Sequence, residues 1–192
     1  MTILLVVAPY GVFTLLMLAT STATSLFSAG AVCLAVIALD MARGRSLKIF
    51  GAGSAVLFAG LGVCVSFVEP DLSKSAVKFL VDGGMFAISL GSILVRRPFT
   101  LQYALELVPP ATAALPGFLR ANYVIAFAWT LAALLMMLAN GAMLYVPGLP
   151  IWLSLLVAFA ARNSAIYFTK WYPEYRRIKE LTPPNDAMAE PQ

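Results

Sequence analysis

The chain is written in long apolar runs separated by short polar breaks. With a window of about 19 residues, six apolar segments stand out, at 2–20, 26–41, 49–68, 76–95, 121–138 and 151–169. A helix rises 1.5 Å per residue, so about 20 residues span a hydrocarbon core of about 30 Å. The pattern predicts an all-α, polytopic membrane protein with six transmembrane helices. The second segment is the shortest, and its bounds are the least sharp. Residues 1–181 read as one transmembrane helical domain, and 182–192, "TPPNDAMAEPQ", as a disordered cytoplasmic tail.

Between the fourth and fifth segments lies the longest connection, "RRPFTLQYALELVPPATAALPGFLR". Pro98 suits the first residue of a short helix, and Pro109 with Pro110 would end it. Leu101, Ala104, Leu105 and Val108 fall on one face, while Gln102 and Glu106 fall four apart on another. The spacing predicts a short amphipathic helix lying in the inner interface, either as a plain connector or as a docking site for a partner.

Composition narrows the class. The 192 residues are 61% hydrophobic and only 11% charged, whereas a soluble domain is about 25% charged. So few charges cannot cover a water-facing surface. The net charge of +4 sits at the ends of apolar runs, which marks membrane orientation rather than nucleic-acid binding. Arg43, Arg45 and Lys48 fill the second connection; Arg96, Arg97 and Arg120 the fourth; Lys170, Arg176, Arg177 and Lys179 follow the last segment. The odd connections lack this bias. The alternation predicts a plasma-membrane protein with both termini in the cytoplasm, and with Arg96, Arg97 and Arg120 beside anionic headgroups. The first segment ends "LMLATSTATS", which also resembles a secretory signal, but "MTILLVV" lacks a basic start. Its removal would leave five helices.

Aromatic residues flank the last segment, with Tyr145 and Trp152 at one end and Trp171, Tyr172 and Tyr175 at the other, as interfacial anchors should. Pro9 is expected to kink the first helix. Gly83, Ala87 and Gly91, and likewise Gly51, Ala55 and Ala59, recur every four residues, a spacing that favours close helix packing within one subunit or between copies. The glycines of "GAGSAVLFAGLG" make only a broken nucleotide-loop pattern. Cys33 and Cys64 read as small apolar packing residues. With no histidine in the chain, His-ligated haem, the usual zinc sites and His relays are excluded, and no cofactor is expected.

Few ionisable groups interrupt the spans: Asp40, Lys78, Asp82 and Arg162, with Asn122 and Asn163 among the neutral polar residues. Lys78 and Asp82 are spaced to meet on one helix face. Arg162 lies roughly 10 Å from the inner boundary, with Asp82 roughly 8–10 Å further out, at the limit of reach. An arginine at that depth costs about 2.5–3.5 kcal/mol on insertion scales, which calls for a partner or a use. Arg162, Asp82, Asn163, Lys78 and Asp40 therefore form the candidate intramembrane polar site, either as a packing pair or as the lining of an ion or anion cavity. No carboxylate pair with a nearby nucleophile suggests an enzyme.

Three stretches, "ILVRRPFTLQYALELVP", "FLRANYVIAFAWT" and "YFTKWYPEYRR", resemble small bacterial inner-membrane proteins akin to the intracellular septation protein A superfamily. The resemblance covers about 92–177 and carries no catalytic residues. It implies a bacterial plasma membrane and a supporting role in envelope synthesis or division. The combined expectation is a non-enzymatic membrane protein that binds lipids, other inner-membrane proteins or a second copy of itself. The alternative is a small transporter or channel using Arg162 and Asp82. Against it, the middles of the first, third and fifth segments are almost wholly apolar.

Overall fold

The structure, a computed structural model, describes residues 2–146 and 148–181, and every element among them is a helix. The tail expected at 182–192 lies outside the described residues. The helices are α1 (Thr2–Ala19), α2 (Thr22–Ala42), α3 (Ile49–Val68), α4 (Lys74–Leu94), α5 (Phe99–Leu105), α6 (Pro110–Ala113), α7 (Pro116–Tyr145) and α8 (Ile151–Leu181). The last turn of α3, Cys64–Val68, is π-helical. Four helices are long and apolar enough to cross a membrane: α2, α3, α4 and α7 over Gly117–Tyr145. Their outward faces carry large bare hydrophobic side chains, among them Leu34, Val56, Phe67 and Phe127.

Helix ends follow local chemistry. Ser21 and Ser73 begin α2 and α4 by accepting the backbone N–H of Thr24 and Ala76, orphan donors of a first turn. At the other ends, Gly44 (φ +69°) and Arg96 (φ +58°) take the left-handed conformation. Arg45 N–H then bonds the carbonyl of Asp40, and Arg97 N–H that of Ser92, each at 2.9 Å, which closes a Schellman turn at both places. Arg96 adopts this without a glycine's freedom.

Successive long helices pack antiparallel in a row: α1 on α2, α2 on α3, α3 on α4, α4 on α7 and α7 on α8. The row curls, so that Tyr10, Phe13 and Thr14 of α1 face Ser154, Ala158 and Arg162 of α8 across a cavity. Inside the curl Tyr10, Phe13, Phe50 and Phe58 pack with centroids 5.1–6.1 Å apart, and Phe99 stacks on Phe50 at 4.6 Å. Phe99 brings α5 under this cluster. Its N–H bonds Ser92 Oγ at 3.1 Å, and Thr100 donates to the carbonyl of Asn122 at 2.8 Å.

Small residues set the helix spacing, although not always those of the expected stripes. A Cβ on Gly53 would lie 3.1 Å from Ile88, and a Cβ on Gly84 would run into Leu57. The two notches are reciprocal: each helix of the α3–α4 pair offers a glycine to the other's branched side chain. Gly62 receives Phe27, and Gly141 receives Phe79. Of the stripe residues, Gly51 and Gly83 do face α2 and α7, at Ile37 and Met137, while Gly91 has nothing within 4 Å. Both cysteines are free, as expected.

These notches make opposite outcomes testable with one substitution. Gly84→Ala should lower unfolding stability in detergent by about 1–3 kcal/mol through overpacking against Leu57. Gly91→Ala should instead raise it by about 0.5–1 kcal/mol, because only the backbone entropy term changes.

Candidate functional site

Two polar clusters form, one at the basic end of the bundle and one in its interior. The first begins with the turn after α2. Gly44 reverses the chain, so Arg45 folds back over Asp40, and Lys48 enters at the start of α3. The Lys48 side chain is only 3% exposed, and its Nζ lies 2.7 Å from Asp40 Oδ2 and 3.2 Å from Glu106 Oε2. Arg45 Nη1 adds a 3.3 Å contact to Asp40 Oδ1, and its Nε lies 3.7 Å from Glu106 Oε2. Lys48 also stands 5.3 Å from the centroid of the Tyr103 ring. Burial first, then the nearby Asp40 and Glu106 carboxylates, push the Tyr103 phenol above its ordinary range, so the ring stays neutral beneath the ammonium. Gln102 Oε1 accepts the N–H of Ile49 at 2.8 Å, which satisfies a free donor at the start of α3.

This overturns one expectation. Gln102 and Glu106 do not form the outward polar face of an interfacial helix. They point into the bundle, while Leu105 and Leu107 are exposed. The reason is charge: Lys48 cannot be buried without carboxylates, and α5 supplies one. Glu106 is held by charge alone, since neither of its buried oxygens accepts a well-directed hydrogen bond from the described residues. The helix also stops at Leu105, short of Pro109, with a separate turn at Pro110–Ala113. Arg96, Arg97 and Arg120 are exposed at this end of the bundle, as headgroup contacts would need to be.

The second cluster lies between α1, α4, α7 and α8. A cavity of about 30 Å³ is lined there by Tyr10, Thr14, Lys78, Asp82, Asn140, Ser154 and Arg162, with Phe13, Val81, Met136, Leu155 and Ala158 forming apolar walls. Arg162, Asp82 and Lys78 thus meet, as the sequence suggested. They do not bond as it suggested. Among the described residues no ion pair within 4 Å joins Arg162 or Lys78 to Asp82. Asp82 Oδ2 instead accepts Asn140 Nδ2 at 2.7 Å. Tyr10 bonds Ser54 Oγ at 2.7 Å in the buried interior. Arg162 also borders a smaller cavity of about 10 Å³ towards Phe50, Phe99 and Trp129.

Two candidates leave the interior site. Asp40 belongs to the Lys48 cluster. Asn163 is exposed and donates to the carbonyl of Phe159 on its own helix, at 2.8 Å. Sequence reasoning missed Asn140, because "ANG" reads as a turn. Here Gly141 is the notch for Phe79, and α7 runs on to Tyr145. From sequence Lys48 reads only as an orientation charge; its spacing of eight from Asp40 across a glycine turn is the available signal. No protein-family model matches the chain, and no curated protein or solved structure is detectably similar to it.

Two measurements follow from these contacts. Lys48→Met leaves Asp40 and Glu106 with Arg45 alone and should lower unfolding stability by up to about 3 kcal/mol, part of it recovered by adding Glu106→Gln. In the interior, a double-mutant cycle between Asp82→Asn and Asn140→Leu should give a coupling of about 1 kcal/mol. The cycle between Asp82→Asn and Arg162→Met should also couple, by about 0.5 kcal/mol or more, because the two charges share the cavity without a bond.

Proposed function

We propose that the chain is a non-enzymatic, multi-pass protein of the bacterial plasma membrane that binds lipid or membrane partners and supports the cell envelope. In this reading α1 and α8 join the four apolar helices to make six spans, with both termini cytoplasmic and α5 lying at the inner boundary. The alternation of basic connections supports the orientation. The resemblance of 92–177 to inner-membrane septation proteins supports the setting.

The observation that carries the reading is that the polar groups do not line a path. Asp82, Lys78, Arg162 and Asn140 share one small cavity. Towards the basic end it gives way to Val7, Tyr10, Phe50, Met85, Phe99 and Trp129, which are aromatic or aliphatic. Beyond these the Lys48 cluster ties α5 across the helix ends. A transport route wants polar residues facing one another through the bundle. A second reading, a small transporter or channel, draws on one fact: Arg162, like Tyr10, borders both cavities, so a charged side chain stands beside the apolar stretch between them.

Flux separates the two. Reconstituted in vesicles of phosphatidylethanolamine and phosphatidylglycerol, the protein should pass neither protons nor chloride above protein-free vesicles. Native mass spectrometry of the detergent-purified protein should show retained phospholipid. A flux that disappears with Arg162→Met would move the function to transport.

A further inference from the structure

We infer that the cavity between α1 and α8 holds a single carboxylate, and that this carboxylate arrives on an acyl chain from the surrounding lipid. The inference rests on the binding reading above and names the ligand class for that site.

Charge is the first ground. Arg162 and Lys78 bring two cations to a cavity whose own carboxylate, Asp82, takes its short bond from Asn140. The guanidinium has no ion-pair partner within 4 Å among the described residues, and its side chain borders the cavity beside Asp82. A planar fork of N–H groups matches the two oxygens of a carboxylate.

Size is the second. The cavity measures about 30 Å³, and one water occupies about 10–15 Å³ on the same scale. The two oxygens of a carboxylate fill a space of that order.

The walls are the third. Phe13, Val81, Leu155 and Ala158 offer hydrocarbon on the sides. The cavity sits where the two ends of the helix row, α1 and α8, are not closely packed on one another. An acyl chain lying in that gap keeps its carbon against apolar side chains and its charge on Arg162. A free short carboxylate satisfies the charge and leaves the walls unused.

Thermal unfolding of the full chain in mild detergent tests this with three probes: sodium oleate, methyl oleate and sodium acetate. Oleate near saturation should raise Tm by about 5 °C, and the uncharged ester and acetate should leave it unmoved. Arg162→Met should abolish the oleate shift, and Arg162→Lys should retain part of it. Ala158→Leu keeps every charge but fills the cavity, so it should abolish the shift in a protein that still folds. The proposal is overturned if oleate does nothing, as it would with two waters merely bridging Arg162 to Asp82. It is equally overturned if methyl oleate matches oleate, or if Ala158→Leu leaves the shift intact. An acetate shift as large as that of oleate would reject the lipid source. Should oleate fail while phospholipid is retained and no flux occurs, only the ligand class is wrong; Arg162-dependent flux would end the binding reading whatever oleate does.

Discussion

A buried ammonium organises the basic end of this protein. Lys48 enters α3 almost without solvent, and a charge placed there demands opposite charge within a few ångströms. Asp40 comes from the helix before, through the Gly44 turn; Glu106 comes from α5, more than fifty positions along the chain. Meeting that demand draws α5 back beneath the bundle. Phe99 then stacks on Phe50, and Ser92 and Asn122 receive the polar groups that α5 would otherwise expose. One cation thus links the turn after α2, the start of α3 and the connection between α4 and α7.

In the interior the same physics has a different outcome. Opposite charges sharing a cavity would normally close on each other. Asp82 is held by Asn140 across the α4–α7 contact, where Ser89 and Thr130 also bond at 2.7 Å. Arg162 approaches from α8, which packs on α7 and shares the cavity with α1. The carboxylate is therefore fixed on the α4–α7 side of the cavity, while the guanidinium enters from α8. The gap between them is a product of that division.

Much of the fold was legible because the bilayer allows few solutions. Apolar runs located all six long helices, and the third matched at both ends, Ile49 and Val68. Helix ends failed where a local signal was overruled by packing. Asn140–Gly141 reads as a turn but is a notch for Phe79, so α7 extends seven residues past Leu138 to Tyr145. The apolar run ends at Thr169, with Lys170, Arg176 and Arg177 read as following the last segment, yet α8 continues to Leu181 with Phe168 stacked on Tyr172 and Trp171 on Tyr175. The interior site was legible as a set of ionisable residues in apolar sequence, which is how Arg162, Asp82 and Lys78 were found. Its bonding was not, because which residue satisfies Asp82 depends on the register of α4 against α7. The inward turn of Gln102 and Glu106 was hidden for a like reason: periodicity gives the faces of a short helix but not which face a distant lysine will claim.

The paired notches on α3 and α4 have a mechanical consequence. Ile88 sits in the hollow of Gly53 and Leu57 in that of Gly84, so the joint is keyed at two points facing opposite ways. Sliding one helix past the other by a turn would lift both keys together, and rolling either would jam one of them. The hairpin is thus an indexed, stiff spine. Between α1 and α8, where the row comes round on itself, the described residues show no such key, only the walls of a shared cavity.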